Sequence, residues 1–91
     1  MDNKWELIDT NDVAIVCDTL LPSLPTNKWE EGYTDSLLYI KEVAEKNQKE
    51  AIDQYIEDWY SGIYQQAYNE GKCAAVIDLI SELNSSYRTA R

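Results

Sequence analysis

Ile52, Tyr55, Ile56, Trp59, Ile63 and Ala67 share one face of a helical wheel, and no other stretch of the chain has so strong a periodicity. A stripe of that width is what a helix presents to a core. The pattern spans about five turns and closes at Gly71. Gly62 lies inside it and costs roughly 1 kcal/mol relative to alanine, so it marks either a kink or a point where a second helix comes close.

Similar patterns organise the rest of the chain. Thr10, Asn11 and Asp12 supply a cap and first-turn acid, and Val13, Val16, Cys17, Leu20 and Leu21 then recur at helical spacing. Pro22 and Pro25 end that helix, and residues 22–27 form a stiff connector. Residues 27–31 suit a single turn closed by Gly32, which leaves Trp29 in a loop. A further helix opens at Thr34 or Asp35, with Leu37, Leu38, Ile40, Val43 and Ala44 on one side and Lys41, Glu42, Glu45 and Lys46 on the other. At Asn47-Gln48 the pattern pauses. One continuous helix over 35–70 competes there with a turn, and the Asn47 to Glu50 capping box favours the turn. Cys73, Val76, Ile77, Ile80 and Leu83 define a last helix that fades at residues 84–86 into a polar tail over 85–91, which holds Arg88 and Arg91. At the other end, the Asn3 to Glu6 capping box gives residues 4–8 a short helix, with a strand as the alternative.

No hairpin signal interrupts this series. The expected fold is all-α, a small bundle of three to four main helices with an extra short N-terminal helix. With 91 residues the chain makes one acidic helical domain, 1–91, around one core. Trp5, Trp29 and Trp59 are assigned to that core, Trp29 being the most exposed of the three. Cys17 and Cys73 have no second cysteine or histidine at metal-ligand spacing and read as reduced, buried thiols. Cys73 follows Gly71 closely enough for a helix dipole to lower its pKa.

The chain has no histidine, which removes Ser-His-Asp and Cys-His arrangements and histidine metal sites. Asp53, Glu57 and Asp58 on one helix could hold Mg2+ or act as acid and base. Lys46 with Glu50 and Lys49 with Asp53 instead fit ordinary i,i+4 pairing on a solvated face. Residues 9–12 resemble the start of a calcium loop, but Ala14 stands where the loop needs glycine and Leu20 where it needs glutamate. Gly32, Gly62 and Gly71 are isolated and form no phosphate loop. The reading is therefore of a protein that is not an enzyme and uses no cofactor and no metal.

Charge bounds the partner. The chain carries 17 acids against 8 basic residues, a net charge of -9. Between Glu30 and Asp58 there are nine acids and three lysines. Direct nucleic-acid binding is disfavoured, because it needs lysines and arginines free to neutralise phosphates. A basic protein, such as a nuclease or a DNA- or RNA-binding protein, fits instead. On the wheel of the long segment, Glu50, Asp53, Glu57, Tyr60, Tyr64 and Tyr68 lie together on a flank beside the core stripe, a mixture suited to capturing lysine and arginine. Trp29, Glu30 and Glu31 form a secondary candidate. The plainer reading makes Tyr60 and Tyr64 boundary residues and leaves the acids to confer solubility.

The expected function is inhibition of a basic, nucleic-acid-handling protein by covering its positively charged site. Toxin-immunity proteins and phage anti-defence proteins share this size and charge, without any common motif here. The alternative is a helical assembly module, a homodimer or adaptor subunit that buries Leu7, Leu24, Leu38 and Leu79 against another helix. No apolar leader and no apolar run of membrane-spanning length is visible, so the expected location is the cytoplasm, away from membranes.

Overall fold

Local capping fixes where the first two helices begin. In the computed structural model, which describes residues 9–60 and 62–89 with side chains through residue 85, α1 spans Thr10–Leu20 and α2 spans Lys28–Glu45. Asp9, one residue earlier than the sequence suggests, is the N-cap of α1 and accepts from the Asn11 N–H at 3.0 Å. Asn27 caps α2 by accepting from the Glu30 N–H at 2.8 Å. The Glu30 carboxylate reaches back to the Thr26 N–H and hydroxyl, both at 2.9 Å. With its start satisfied in this way, α2 runs unbroken through Gly32. The separate turn over 27–31 merges into it, and Trp29 lies on its first turn rather than in a loop.

The turn at Asn47 is present. Gln48 N–H donates to Val43 O and Asn47 N–H to Ala44 O, both at 2.9 Å, with Asn47 at φ 60° in the left-handed region. This is a Schellman closure of α2, in which Asn47 is the residue after the helix rather than the cap of the next. Its side chain is engaged elsewhere, accepting from the Thr10 hydroxyl at 2.7 Å. Helix α3 then covers Lys49–Tyr60 and α4 covers Ala67–Thr89.

The long stripe over 52–67 is therefore divided. Its first half is α3, with Ile52 and Ile56 fully buried, while Gly62 and Ile63 lie in the connection and Ile63 is 96% exposed. Gly62 is the weakest helical position in the stripe, and it lies just beyond Tyr60, where α3 ends. The break allows α4 to start at Ala67 and pack along α2, the largest interface in the fold. Gly71 does not end a helix; it is buried inside α4. A Cβ at Gly71 would overlap the Trp29 carbonyl of α2, and a Cβ at Gly32 would overlap the Tyr68 carbonyl of α4. Two glycines set the crossing, each facing the other helix's backbone.

Helices α1 and α3 each pack on both members of this pair. All four contribute to one core built around Val13, Cys17, Leu37, Ile40, Ile52, Ile56, Val76 and Leu79. The buried face of α4 is Ala75, Val76, Leu79 and Leu83, rotated from the expected one, so that Ile77 is 44% exposed and Cys73 only half-buried. In α2, Ser36 is buried where Leu38 was expected, and Leu38 is exposed. Leu79 belongs to the core, not to an assembly flank. Helix α4 also continues to Thr89, beyond the expected fading at 84–86. Residues 4–8, with Trp5 and Leu7, lie outside the described residues. Among the described residues no strand occurs and no helix is long and apolar enough to cross a membrane.

Candidate interaction surface

Helix α3 is amphipathic, and its contacts with α2 and α4 are small beside those between α2 and α4 themselves. Ile52 and Ile56 face inward with Tyr55 and Trp59 beside them. Glu50, Glu57 and Asp58 face solvent, and Asp53 is half-buried on the same side. Ion pairs elsewhere use Glu31 with Lys28 (3.6 Å), Asp18 with Lys41 (2.7 Å) and Glu42 with Lys46 (3.4 Å). Lys46 thus turns back along α2 instead of reaching Glu50, because the Schellman turn separates their helices. Among the described residues Glu50 and Glu57 make no ion pair. Their spacing along the helix, with Asp53 between, puts the three Cβ atoms in a row at steps of about 5–6 Å.

The tyrosines of the expected flank are redistributed by the break after α3. Tyr60 closes α3 and is 46% exposed; Tyr64 sits in the connection and Tyr68 in the first turn of α4. Tyr60 thus keeps its place on the flank with Asp53 and Glu57, whereas Tyr64 and Tyr68 leave the face of Glu50. An aromatic row links the elements instead, running from Tyr39 to Tyr55 (4.9 Å between centroids), Trp59 (6.1 Å) and Tyr64 (4.9 Å). Trp59 is half-buried in this row rather than enclosed in the core. The Tyr64 hydroxyl donates to Asp58 O at 3.0 Å, which folds the connection back onto the end of α3. The Cys73 thiol points the same way, 3.9 Å from the carbonyls of both Tyr60 and Gly62.

Lys72 completes the corner. Its Nζ stands 4.6 Å from the centroid of Trp59 and 5.1 Å from that of Tyr68, so the ammonium faces two rings from different elements. The Tyr68 hydroxyl donates to Asp35 Oδ2 at 2.6 Å, and that carboxylate pushes the Tyr68 pKa up to about 12. Burial raises Tyr55 as well, partly offset by its 2.5 Å hydrogen bond with the buried Ser36 hydroxyl. Tyr33 is raised by burial and by donating to Asp78 Oδ2 at 2.8 Å.

The secondary candidate set has mixed roles. Trp29 is 38% exposed and stacks on Tyr33 at 5.3 Å. Glu30 is committed to the start of α2, and the Thr26 N–H and hydroxyl lower its pKa. Glu31 is partly occupied by Lys28. The cysteines are free: burial pushes Cys17 up to about 12, and burial also raises Cys73, which lies in the second turn of α4 and gains nothing from its dipole. Among the described residues no group of three histidine, cysteine or carboxylate side chains is gathered as a metal ion would need.

Sequence reasoning did not single out Asp35, Trp59 or Lys72 as parts of a surface. The i,i+4 spacing of Tyr68 and Lys72 was a readable signal. The approach of Trp59 to Lys72 was not, because it depends on the break at Gly62. Comparison with family models, with curated proteins and with solved structures finds no match.

Proposed function

We propose that this chain is a non-catalytic binding protein that neutralises a basic, nucleic-acid-handling protein in the cytoplasm by covering its positively charged site. Toxin-immunity and phage anti-defence proteins act in this general way. The observation that carries the reading is the outward face of α3, where Glu50 and Glu57 have no cationic partner within the described residues. Carboxylates in a row, at helical spacing, can pair with successive lysines or arginines of a groove made for phosphates. Tyr60, exposed on the same flank, offers rigid apolar area, which slows dissociation once electrostatic steering has brought the partner in. No cofactor enters this reading.

The test is affinity capture from lysates of the source organism and its natural competitors, first at low and then at high salt, with wild type and with the Glu50→Gln, Asp53→Asn, Glu57→Gln triple variant. Wild type is expected to retain one basic nuclease or nucleic-acid-binding protein and release it with salt. The triple variant is expected to bind that partner at least about tenfold more weakly, given the size of coupling between close interfacial charges. Unchanged affinity in the triple variant overturns the reading. Recovery of the chain alone, as a salt-indifferent dimer, replaces it with the assembly module, for which Leu24 and Leu38 are exposed.

A further inference from the structure

The corner between α3 and α4 has walls that stand independently of what they enclose. Trp59 is backed by Tyr64, whose hydroxyl is tied to the Asp58 carbonyl. Tyr68 is held by its hydrogen bond to Asp35. Lys72, between the two rings, makes no ion pair among the described residues and is only half-buried. Its partners are thus ring faces, and such contacts favour the seated ammonium by roughly two- to thirtyfold. Fixed walls around a lightly held cation on a four-carbon stem make a site whose occupant can be exchanged.

We propose that this corner is a self-occupied cation site, in which Lys72 keeps the place of a lysine side chain presented by the basic partner. The inference rests on the binding reading above and adds the point at which one partner lysine is recognised. Replacing one ammonium by another preserves the cation–π contacts, so exchange loses little at the rings. Lys72 then swings into water. The charge around the corner favours an incoming cation, since Asp35 lies behind Tyr68 and both Asp35 and Glu31 act on its hydroxyl. A positively charged residue of the chain's own, seated over the two rings, also keeps free lysine and small amines from filling the site without the wider contact that a protein makes.

Carbon–proton NMR of lysine-labelled wild type, titrated with oligolysine at low salt, tests this directly. In the free protein the Lys72 Hε protons are expected well upfield of those of the other lysines, because they lie over two rings. With peptide they are expected to return to the ordinary lysine position, while upfield Hε signals appear on the peptide. Amide shifts along α3 report separately on the Glu50 and Glu57 face. Amides that move while Lys72 stays upfield at saturating peptide overturn the cation site and leave the acidic-face reading standing. Release of Lys72 with α3 amides unmoved does the reverse. A Lys72 that is not upfield in the free protein, or that is unmoved by any amount of peptide, also overturns the proposal. As a second measurement, Lys72→Ala is expected to bind n-butylammonium saturably, with a change in Trp59 emission that Trp59→Leu abolishes and wild type lacks. Failure of the folded Lys72→Ala protein to bind it overturns the exchange.

Discussion

Gly32 and Gly71 show how much of this fold rests on the absence of two methyl groups. Each is the point where one helix receives a backbone carbonyl of the other, from Tyr68 and Trp29, and each carbonyl lies three residues before its own helix's glycine. A Cβ at either position cannot be absorbed by a side-chain rotation, because what it meets is main chain. Gly71→Ala is expected to cost about 2–3 kcal/mol despite alanine's better helix propensity, a fall in melting temperature on the order of 10 °C. Gly32→Ala should behave alike. The double variant should cost less than the sum of the two, since helices already forced apart have room for the second methyl. Thermal unfolding followed by circular dichroism measures all three, and strict additivity would refute the idea of a shared crossing. These glycines were visible in the sequence but not their roles. Gly32 reads as the end of a turn, Gly62 as a kink or a close approach and Gly71 as a terminator, and in the fold the approach belongs to Gly32 and Gly71 while Gly62 lies in the break between α3 and α4. A helix end and a helix crossing ask the same thing of a glycine locally, and only the partner helix distinguishes them.

At the scale of elements, α2 and α4 are joined by a second reciprocal device. Tyr33 of α2 donates to Asp78 of α4, and Tyr68 of α4 donates to Asp35 of α2. Both tyrosines are held protonated, Tyr33 chiefly by burial and Tyr68 chiefly by its carboxylate partner, so their pKa values in the fold exceed those in the unfolded chain. The folded state then binds more protons than the unfolded state above about pH 10, and stability falls as pH rises from there through about 12. Below pH 10 the contribution is complete. Urea unfolding across this range is expected to show an alkaline loss that Tyr33→Phe with Tyr68→Phe flattens. An equally steep loss in the double variant would assign it to other groups. The same scale explains what was legible. Helix α1 and the turn at Asn47 were readable because caps and αL residues act within a few positions. The α3 to α4 break was only half legible: Gly62 marks a weak point, but Ile63 and Ala67 keep helical register with Ile56 and Trp59, so the local pattern does not show that the helix ends rather than bends. For the same reason the buried face of α4 was misplaced by one position: Ala75, a poor hydrophobic signal, is small enough to lie against its neighbours where the bulkier Ile77 is left outside. Of the candidate surface, the acids were legible by position and the aromatic corner was not.

For the molecule as a whole, a net charge of -9 sets function against stability. Acids on α1 and α2 are partly offset by Lys28, Lys41 and Lys46, whereas α3 carries Glu50, Asp53, Glu57 and Asp58 against Lys49 on a helix with two fully buried side chains. Repulsion is therefore concentrated on one of the less extensively anchored elements. Salt screens it over about 10 Å at 0.1 M, so the folding midpoint in urea is expected to rise with ionic strength. Neutralising Glu50, Asp53 and Glu57 as amides should raise low-salt stability by on the order of 1 kcal/mol, each relieved like-charge contact supplying a few tenths, and should shrink the salt dependence. Amide hydrogen exchange at low salt should open α3 before α2 and α4 in wild type, and less readily in the triple variant. A triple variant with wild-type midpoints and salt dependence would mean that the row is already balanced within the fold, and would remove the reason to expect that a cationic partner completes it. If the variant instead gains stability while losing its partner, then the unbalanced row is retained at a cost to the fold, as surfaces kept for binding often are.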